Sequence, residues 1–495
     1  MSIADVGSGL GTADLEPSRP PVADSRFAFW WRTAVLAGLF FGAYGPLFAQ
    51  VLNEAVNGSR TAFLVIAPLL VLVAATGYRL PARGVGDNES DWIVAAVTGA
   101  VGFCSIALIT HRFPTLSGLW RLELVGALVW VACAGMIVFS TRHVIRMWQV
   151  WIFAFGCALT LPYLLTTASL GGSDTAAAGV GALLGAISVY MAGRPTRRHW
   201  QIAATLLCLV VGGGLSVVLT ERLGLFATLI IVAAVVPVTV TVGLHHFTEL
   251  TRSHRWAAVS AGFHPLSPRS IVVLGLVAVG VLVTHIPTPA PPEPPQVHAD
   301  WAQRSGLGAP TEFGFVTRFL GPQSSLVRFQ VPTAANSPAA AVDVITTTNL
   351  AALRDYSDAI WYPSPIPVNF QAVSGGPDEQ LRLHARMMHS NADAATDVTA
   401  QNWYAITWVW KTPAAYQQVT VVVNQSAMSP DSPVAPAPLS VSDTVIKPVL
   451  WVARQQPEWV GGVDKRVEQR ADDIVRSLVD AAEPPSASTA ERDRG

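Results

Sequence analysis

The chain has 495 residues, of which 51% are apolar in the broad sense and only 13% are charged, against roughly 25% charged in ordinary soluble proteins. With a mean hydropathy of +0.41, that excludes a chain built only of soluble domains, because so much apolar surface needs a bilayer to cover it. The net charge of −1 hides a division: residues 1–285 carry 17 basic and 12 acidic side chains and residues 286–495 carry 15 and 21, which leaves no concentrated cationic surface for a nucleic-acid partner.

In chain order, residues 1–32 read as a polar cytoplasmic tail without the basic start, apolar core and small-residue end of a cleaved signal peptide. Residues 33–286 read as a transmembrane bundle. Charge-poor runs near 33–51, 61–78, 92–110, 122–140, 148–168, 176–193, 200–220, 223–244 and 270–286 have about the 17–25 residues that a helix needs to cross a hydrocarbon core. With the N-terminus inside, thirteen arginines, among them Arg142, Arg146 and Arg194, fall in cytoplasmic segments, and Arg60, Arg112, Arg121 and Arg222 fall outside; such an excess sets orientation. Nine spans then place everything after His285 outside the cytoplasmic membrane. The ratio of 29 Arg to 3 Lys points to a GC-rich bacterial genome. Pro46, Pro68, Pro162, Pro237 and Gly212-Gly213-Gly214 interrupt the runs, and Gly38-xxx-Gly42 and Gly181-xxx-Gly185 permit close helix packing within the bundle.

The spans themselves hold almost no ionisable groups, so chemistry is sought at their outer ends. Glu54 lies in the first outer loop, Arg112 and Arg121 in the second. A carboxylate facing two arginines suits a general base beside a lipid phosphate, and the same residues also suit solvated cap and headgroup contacts. The four cysteines, Cys104, Cys133, Cys157 and Cys208, all lie in spans, so the outer part is not held by disulfides. His245, His246 and His254 lack metal-ligand spacing, and neither a metal nor a cofactor is expected.

Residues 287–300 are a Pro-rich linker, expected to lift the outer part away from the membrane. Residues 301–482 then read as an α+β domain with an antiparallel sheet. Alternation at Val327, Phe329 and Val331, at Tyr404, Ile406, Trp408 and Trp410, and at Val419, Val421 and Val423 predicts half-buried strands, with Arg328 and Gln330 on the polar face. Ala341–Thr346 is a further strand, and Leu350–Tyr356 and Gln380–Met388 are predicted helices. Val463, Val467, Ile474, Val475, Leu478 and Ala482 recur at helical spacing on a terminal helix that packs on the domain or on a partner. Residues 483–495 read as a disordered tail. No HExxH, GxSxG or cysteine nucleophile is present in this domain. Asp355 and Asp358 are read as helix-end caps. Trp361, Tyr362, Trp403, Trp408 and Trp410 form either a stacking platform for a sugar or peptide, or the domain core.

The stretch from Trp120 to Ala168, with Gly118-Leu119-Trp120, Trp130, Arg142, Arg146 and the run from Phe153 to Pro162, resembles the front half of exosortase/archaeosortase membrane proteins. The Trp361-Tyr362-Pro363 turn and the Trp403–Lys411 strand resemble the extracytoplasmic domain associated with them. That resemblance implies a transpeptidase that removes a C-terminal sorting helix through a Cys in a Cys-Ser-Gly context. Here the sequence offers Cys133-Ala134-Gly135 in mid-span, with Arg142 on the cytoplasmic side, so the catalytic set does not carry over. An inside N-terminus, an acidic residue in the first outer loop and an outer C-terminal domain are similar to polyprenyl-phosphate-dependent glycosyltransferases, which would make Glu54 the base and Arg112 or Arg121 the phosphate contact, although that first loop is short and holds one carboxylate. The reading that needs no missing motif is a non-catalytic bacterial membrane protein that presents a binding domain for envelope assembly or surface-protein sorting. Its expected partners are the lipid bilayer and an envelope protein or lipid-linked sugar.

Overall fold

The computed structural model describes residues 22–78, 88–250, 266–284, 292–332, 337–364, 366–373, 384–390, 402–425, 432–454 and 462–482. The first and last stretches of the chain, and residues 287–291 of the proposed linker, lie outside the described residues.

The apolar runs form helices. These are α1 (Val22–Val56), a 3-10 turn (Arg60–Val65) leading into α2 (Ala67–Ala75), α3 (Asn88–Arg112), α4 (Pro114–Trp120), α5 (Leu122–Phe139), α6 (Thr141–Arg146), α7 (Trp148–Ala158), α8 (Thr160–Ser169), α9 (Asp174–Ala192), α10 (Arg198–Leu229), α11 (Val236–Leu250) and α12 (Pro268–Thr284). Among the described residues five helices are long and apolar enough to cross a membrane, or six if the bent pair α7–α8 is one span. The difference from nine apolar runs has local causes. Arg60–Ala75 and Pro268–Thr284 are shorter apolar helices. The α7–α8 pair bends by 67° where Pro162 has no N–H for the Ala158 carbonyl. The 51-residue stretch Arg198–Thr248 holds two runs joined at Gly224, whose φ of 75° is left-handed, and a π turn (Ile230–Val235) precedes Pro237.

Small residues bring these helices together. α9 packs along α10, and a Cβ on Gly185 would stand 2.6 Å from Pro237 Cγ. Gly38 and Gly42, by contrast, have nothing within 4 Å of where a Cβ would be, so this second pair does not serve packing inside the bundle.

Among the described residues the C-terminal half holds a seven-stranded antiparallel sheet in the order β1-β2-β3-β7-β6-β5-β4. The strands are β1 (Pro310–Glu312), β2 (Ser325–Gln330), β3 (Ala340–Thr347), β4 (Gln371–Ala372), β5 (Arg386–His389), β6 (Trp403–Lys411) and β7 (Tyr416–Asn424). A short helix α13 (Trp301–Arg304) precedes β1, and α14 (Thr317–Leu320) and α15 (Leu350–Asp355) lie between β1 and β2 and between β3 and β4. The helix predicted at Gln380–Met388 is corrected: residues 380–383 are outside the described set, and Arg386–His389 is a strand whose ladder with Thr407, Ile406, Ala405 and Tyr404 overrides the helical preference of Leu, Arg and Met.

The central strands β3, β6 and β7 are buried on both faces, not half-buried as the alternation of β6 and β7 predicts. On one face, Val342, Val344, Ile406, Trp408 and Trp410 meet Val467, Ile474, Val475 and Leu478 of the terminal helix (Lys465–Ala482). On the other face a polar row crosses the sheet. Arg328 lies opposite Asp343 and donates to it from Nε and Nη2 at 2.7 Å each. Tyr362 Oη donates to Asp343 at 2.8 Å, and Thr407 and Thr420 hydroxyls meet at 3.0 Å. Arg328 is therefore buried, which corrects its expected outward position. Its remaining donors go to the carbonyls of Pro433 and Val434, so the segment after β7 closes this face.

The sheet domain is not lifted off the bundle. One apolar cluster contains Ala55, Phe63 and Leu164 from the bundle together with Leu326, Ile345, Tyr356 and Trp361 from the domain. Of the proposed spacer, Pro295 and Val297 bond to the backbone of Lys411 at 2.9 Å each, which makes this stretch part of the sheet domain.

Candidate functional site

The two halves meet around one carboxylate. After α1 the chain turns at Asn57-Gly58, and Ser59 caps the 3-10 turn by accepting from Thr61 N at 3.1 Å. The same hydroxyl donates to Asp355 Oδ1 at 2.6 Å, and Arg60 N donates to Asp355 Oδ2 at 2.7 Å. A carboxylate at the end of α15, 295 residues downstream, thus satisfies the free Arg60 N–H at the start of a helical turn in the bundle, the work ordinarily done by a residue one position before it. Asn349 acts on both sides: its Oδ1 caps α15 through Ala351 N and Ala352 N, and its Nδ2 donates to Gly58 O at 2.9 Å.

Arg121 joins this group from the turn between α4 and α5. Its Nη2 lies 2.6 Å from Glu54 Oε2 and 4.0 Å from Asp355 Oδ1, and Gln50 Nε2 donates to Glu54 Oε1 at 3.1 Å. The Arg121 backbone is left-handed, with φ 50° and ψ 55°, between α4 and α5; for a residue with a Cβ this costs about 1–2 kcal/mol. Asp355 is 2% exposed, whereas Glu54 is 29% and Arg121 22% exposed. Burial pushes the Asp355 carboxyl up to about 6, against the opposing pull of the Ser59 hydrogen bond, the Arg121 charge and the Arg60 N–H.

Further contacts extend the junction to the connections after α3 and α8. Arg60 is buried, donates from Nη1 to Gly172 O and lies 3.7 Å from Asp174. Gly172, at φ +69°, abuts the Arg318 backbone, and Gly118 abuts the Asp358 carboxylate, so neither position has room for a side chain. Asp358 holds Arg386 Nη1 at 2.7 Å, and that guanidinium stands 4.1 Å from the centroid of the Phe370 ring. Phe370 N donates to Thr115 Oγ1 at 2.8 Å, and Asn369 Nδ2 to Arg112 O at 3.3 Å.

Of the three polar residues singled out by sequence, Glu54 and Arg121 are brought together. Arg112 is not: it offers its carbonyl, and its guanidinium lies 6.0 Å from the Phe113 ring. The five aromatic residues do not form one platform. Trp408 and Trp410 are buried under the terminal helix, Tyr362 and Trp403 pack together on the opposite face, and Trp361 sits in the junction cluster. None of the five exceeds 5% exposure, so their rings are filled against other side chains and open no stacking face to solvent.

Asp355, Ser59 and Arg60 are not among the site residues expected from sequence, where Asp355 is read only as a helix-end cap. The signal for Asp355 was its place at a helix end; the capping chemistry is right, but the turn it caps belongs to the other half of the chain. Cys133 is buried in a separate bundle cluster with Trp130 and Met136, away from the junction. Among the described residues, no group of three or more His, Cys, Asp or Glu is placed to hold a metal ion. What the junction can do chemically is bind two modules through a carboxyl that burial pushes up to about 6, with a partly exposed carboxylate–guanidinium pair at its edge. No protein-family model, no curated protein and no solved structure matches the chain.

Proposed function

We propose that the chain is a multi-pass protein of the bacterial cytoplasmic membrane, with its N-terminus inside, that holds an extracytoplasmic domain in a fixed pose as a non-catalytic binding module for envelope assembly or surface-protein sorting. The observation that carries this reading is the use made of the polar residues at the junction. Asp355, Ser59, Arg60 and Asn349 spend their hydrogen bonds on joining the two halves, and Arg121 bonds to Glu54 in the same group.

The proposed orientation has support in how the loops sort. The Arg-rich segments meet at the end of the bundle remote from the sheet: Arg32 donates to Val138 O, Asp91 accepts from Ser140 and Thr141, and Tyr78, Arg146 and Arg194 line one cavity of about 300 Å³. Nine passes, with α10–α11 divided at Gly224 and the shorter helices counted, accommodate an N-terminus and a sheet domain on opposite sides.

Complementation tests the proposal. In a strain lacking the gene, a chain ending at Thr284 fails to restore the envelope phenotype, and full-length Glu54→Gln, which keeps an acceptor for Arg121, restores it fully. A second reading, a polyprenyl-phosphate-dependent transferase, is favoured by the exposure of the Glu54–Arg121 pair at the bundle rim. It requires the opposite result: Glu54→Gln inactive while the protein remains folded and in the membrane.

A further inference from the structure

Between the sheet and the terminal helix, a π turn (Ser442–Ile446) runs into a helix (Lys447–Ala453). Its start is well formed: Ser440 Oγ accepts from Asp443 N at 3.1 Å and donates to Asp443 Oδ2 at 2.6 Å. Its sides are unusual. Val441, Ile446, Val449, Leu450 and Val452 are 37% to 54% exposed, and among the described residues none from 441 to 454 belongs to a core cluster. In water such a contiguous apolar surface on a small element is a marker of an interaction site.

Position and composition say what covers it. Leu439, immediately upstream, packs against the junction cluster of bundle and sheet residues, so the helix leaves the domain at the level of the bundle's outer rim. The bundle below is itself apolar on its outside, with Ile93, Val97, Val101 and Leu108 of α3 between 57% and 64% exposed. Twelve residues span roughly 18 Å as a helix, too short to cross a hydrocarbon core of about 30 Å. Trp451, Lys447 and Arg454 add the aromatic and basic groups that favour a headgroup boundary. A convex rod beside an apolar rim suits a lipid surface better than a protein groove.

We infer that the 442–453 helix lies in the outer headgroup boundary of the bilayer, with Ile446, Val449, Leu450 and Val452 among the upper acyl chains, and anchors the sheet domain to the membrane beside the junction. This rests on the reading of the bundle as membrane-spanning. The test uses the full chain with Cys104, Cys133, Cys157 and Cys208 replaced by serine, carrying a nitroxide at Val449→Cys, at Val101→Cys on the bundle exterior, or at Arg476→Cys on the solvent side of the terminal helix. The labelled proteins are reconstituted in phosphatidylcholine–phosphatidylglycerol vesicles, and accessibility to oxygen and to a water-soluble nickel chelate is compared by electron paramagnetic resonance. At 449, as at 101, oxygen collisions exceed nickel collisions severalfold, and at 476 the order is reversed. Nickel dominance at 449 with oxygen dominance at 101 overturns the inference and leaves the bundle reading standing. Exclusion of both reagents at 449 overturns it in favour of a protein partner. Nickel dominance at 101 removes the bundle reading, and the inference with it.

Discussion

Asp355 is a carboxyl whose ordinary value of 3.8 is moved by burial to about 6. When the modules separate, the group returns to water and to its ordinary value. Below about pH 4 it is protonated in both states, and its contribution to docking is complete. Between pH 4 and 6 only the docked form keeps the proton, so docking weakens as pH rises; above pH 6 the loss levels off at roughly 3 kcal/mol, two pKa units at about 1.4 kcal/mol each. Hydrogen-exchange protection of the Arg60 and Thr61 amides, corrected for intrinsic rates, is therefore about tenfold higher at pH 5 than at pH 7, and Asp355→Asn flattens the difference. Arg121 offers a second measurement at the same scale. Its left-handed backbone suits glycine, so Arg121→Gly and Arg121→Ala lose the same pair with Glu54, but the alanine variant is less stable by a further ~1 kcal/mol, seen as a lower melting temperature. Equal melting temperatures would mean that the backbone does not keep this conformation.

At the scale of elements, glycines separate contacts that look alike in sequence. Gly185 sits against Pro237 and Gly38 faces open space. Gly185→Val forces α9 away from the start of α11 at a cost of about 1–3 kcal/mol, whereas Gly38→Ala is neutral or stabilising by up to ~1 kcal/mol; thermal unfolding in detergent followed by tryptophan fluorescence reads both. The same scale shows what a linear pattern holds. The terminal helix, β2, β3, β6 and β7 are legible because their apolar periods are set by the faces they bury. Arg328 is not legible, since its partner Asp343 is opposite only once β2 and β3 pair. Nor were the sheet's two covered faces, because the cover on one comes from the bundle rim and from the carbonyls of Pro433 and Val434. Hydropathy counted nine runs, but whether a run becomes one straight helix depended on Pro162, Gly224 and Pro237.

For the whole molecule, Glu54 and Arg121 were legible as outer-loop charges, and their juxtaposition was not, because it depends on the packing of α1 against α5. Asp355 lay further out of reach, in the other half of the chain. The coupling of the halves is measurable. A double-mutant cycle of Ser59→Ala and Asp355→Ala, read by unfolding of the full chain, gives an interaction of about 1–3 kcal/mol, whereas additive losses would show that the two groups do not meet.

The separation of 295 residues between Arg60 and Asp355 also fixes an order of events in biosynthesis. At 5–20 residues per second, roughly 15 to 60 s pass between synthesis of the turn and synthesis of its cap. Throughout that interval the Arg60 N–H has no Asp355 to bond. The turn is therefore complete only once the sheet domain has been made and has docked.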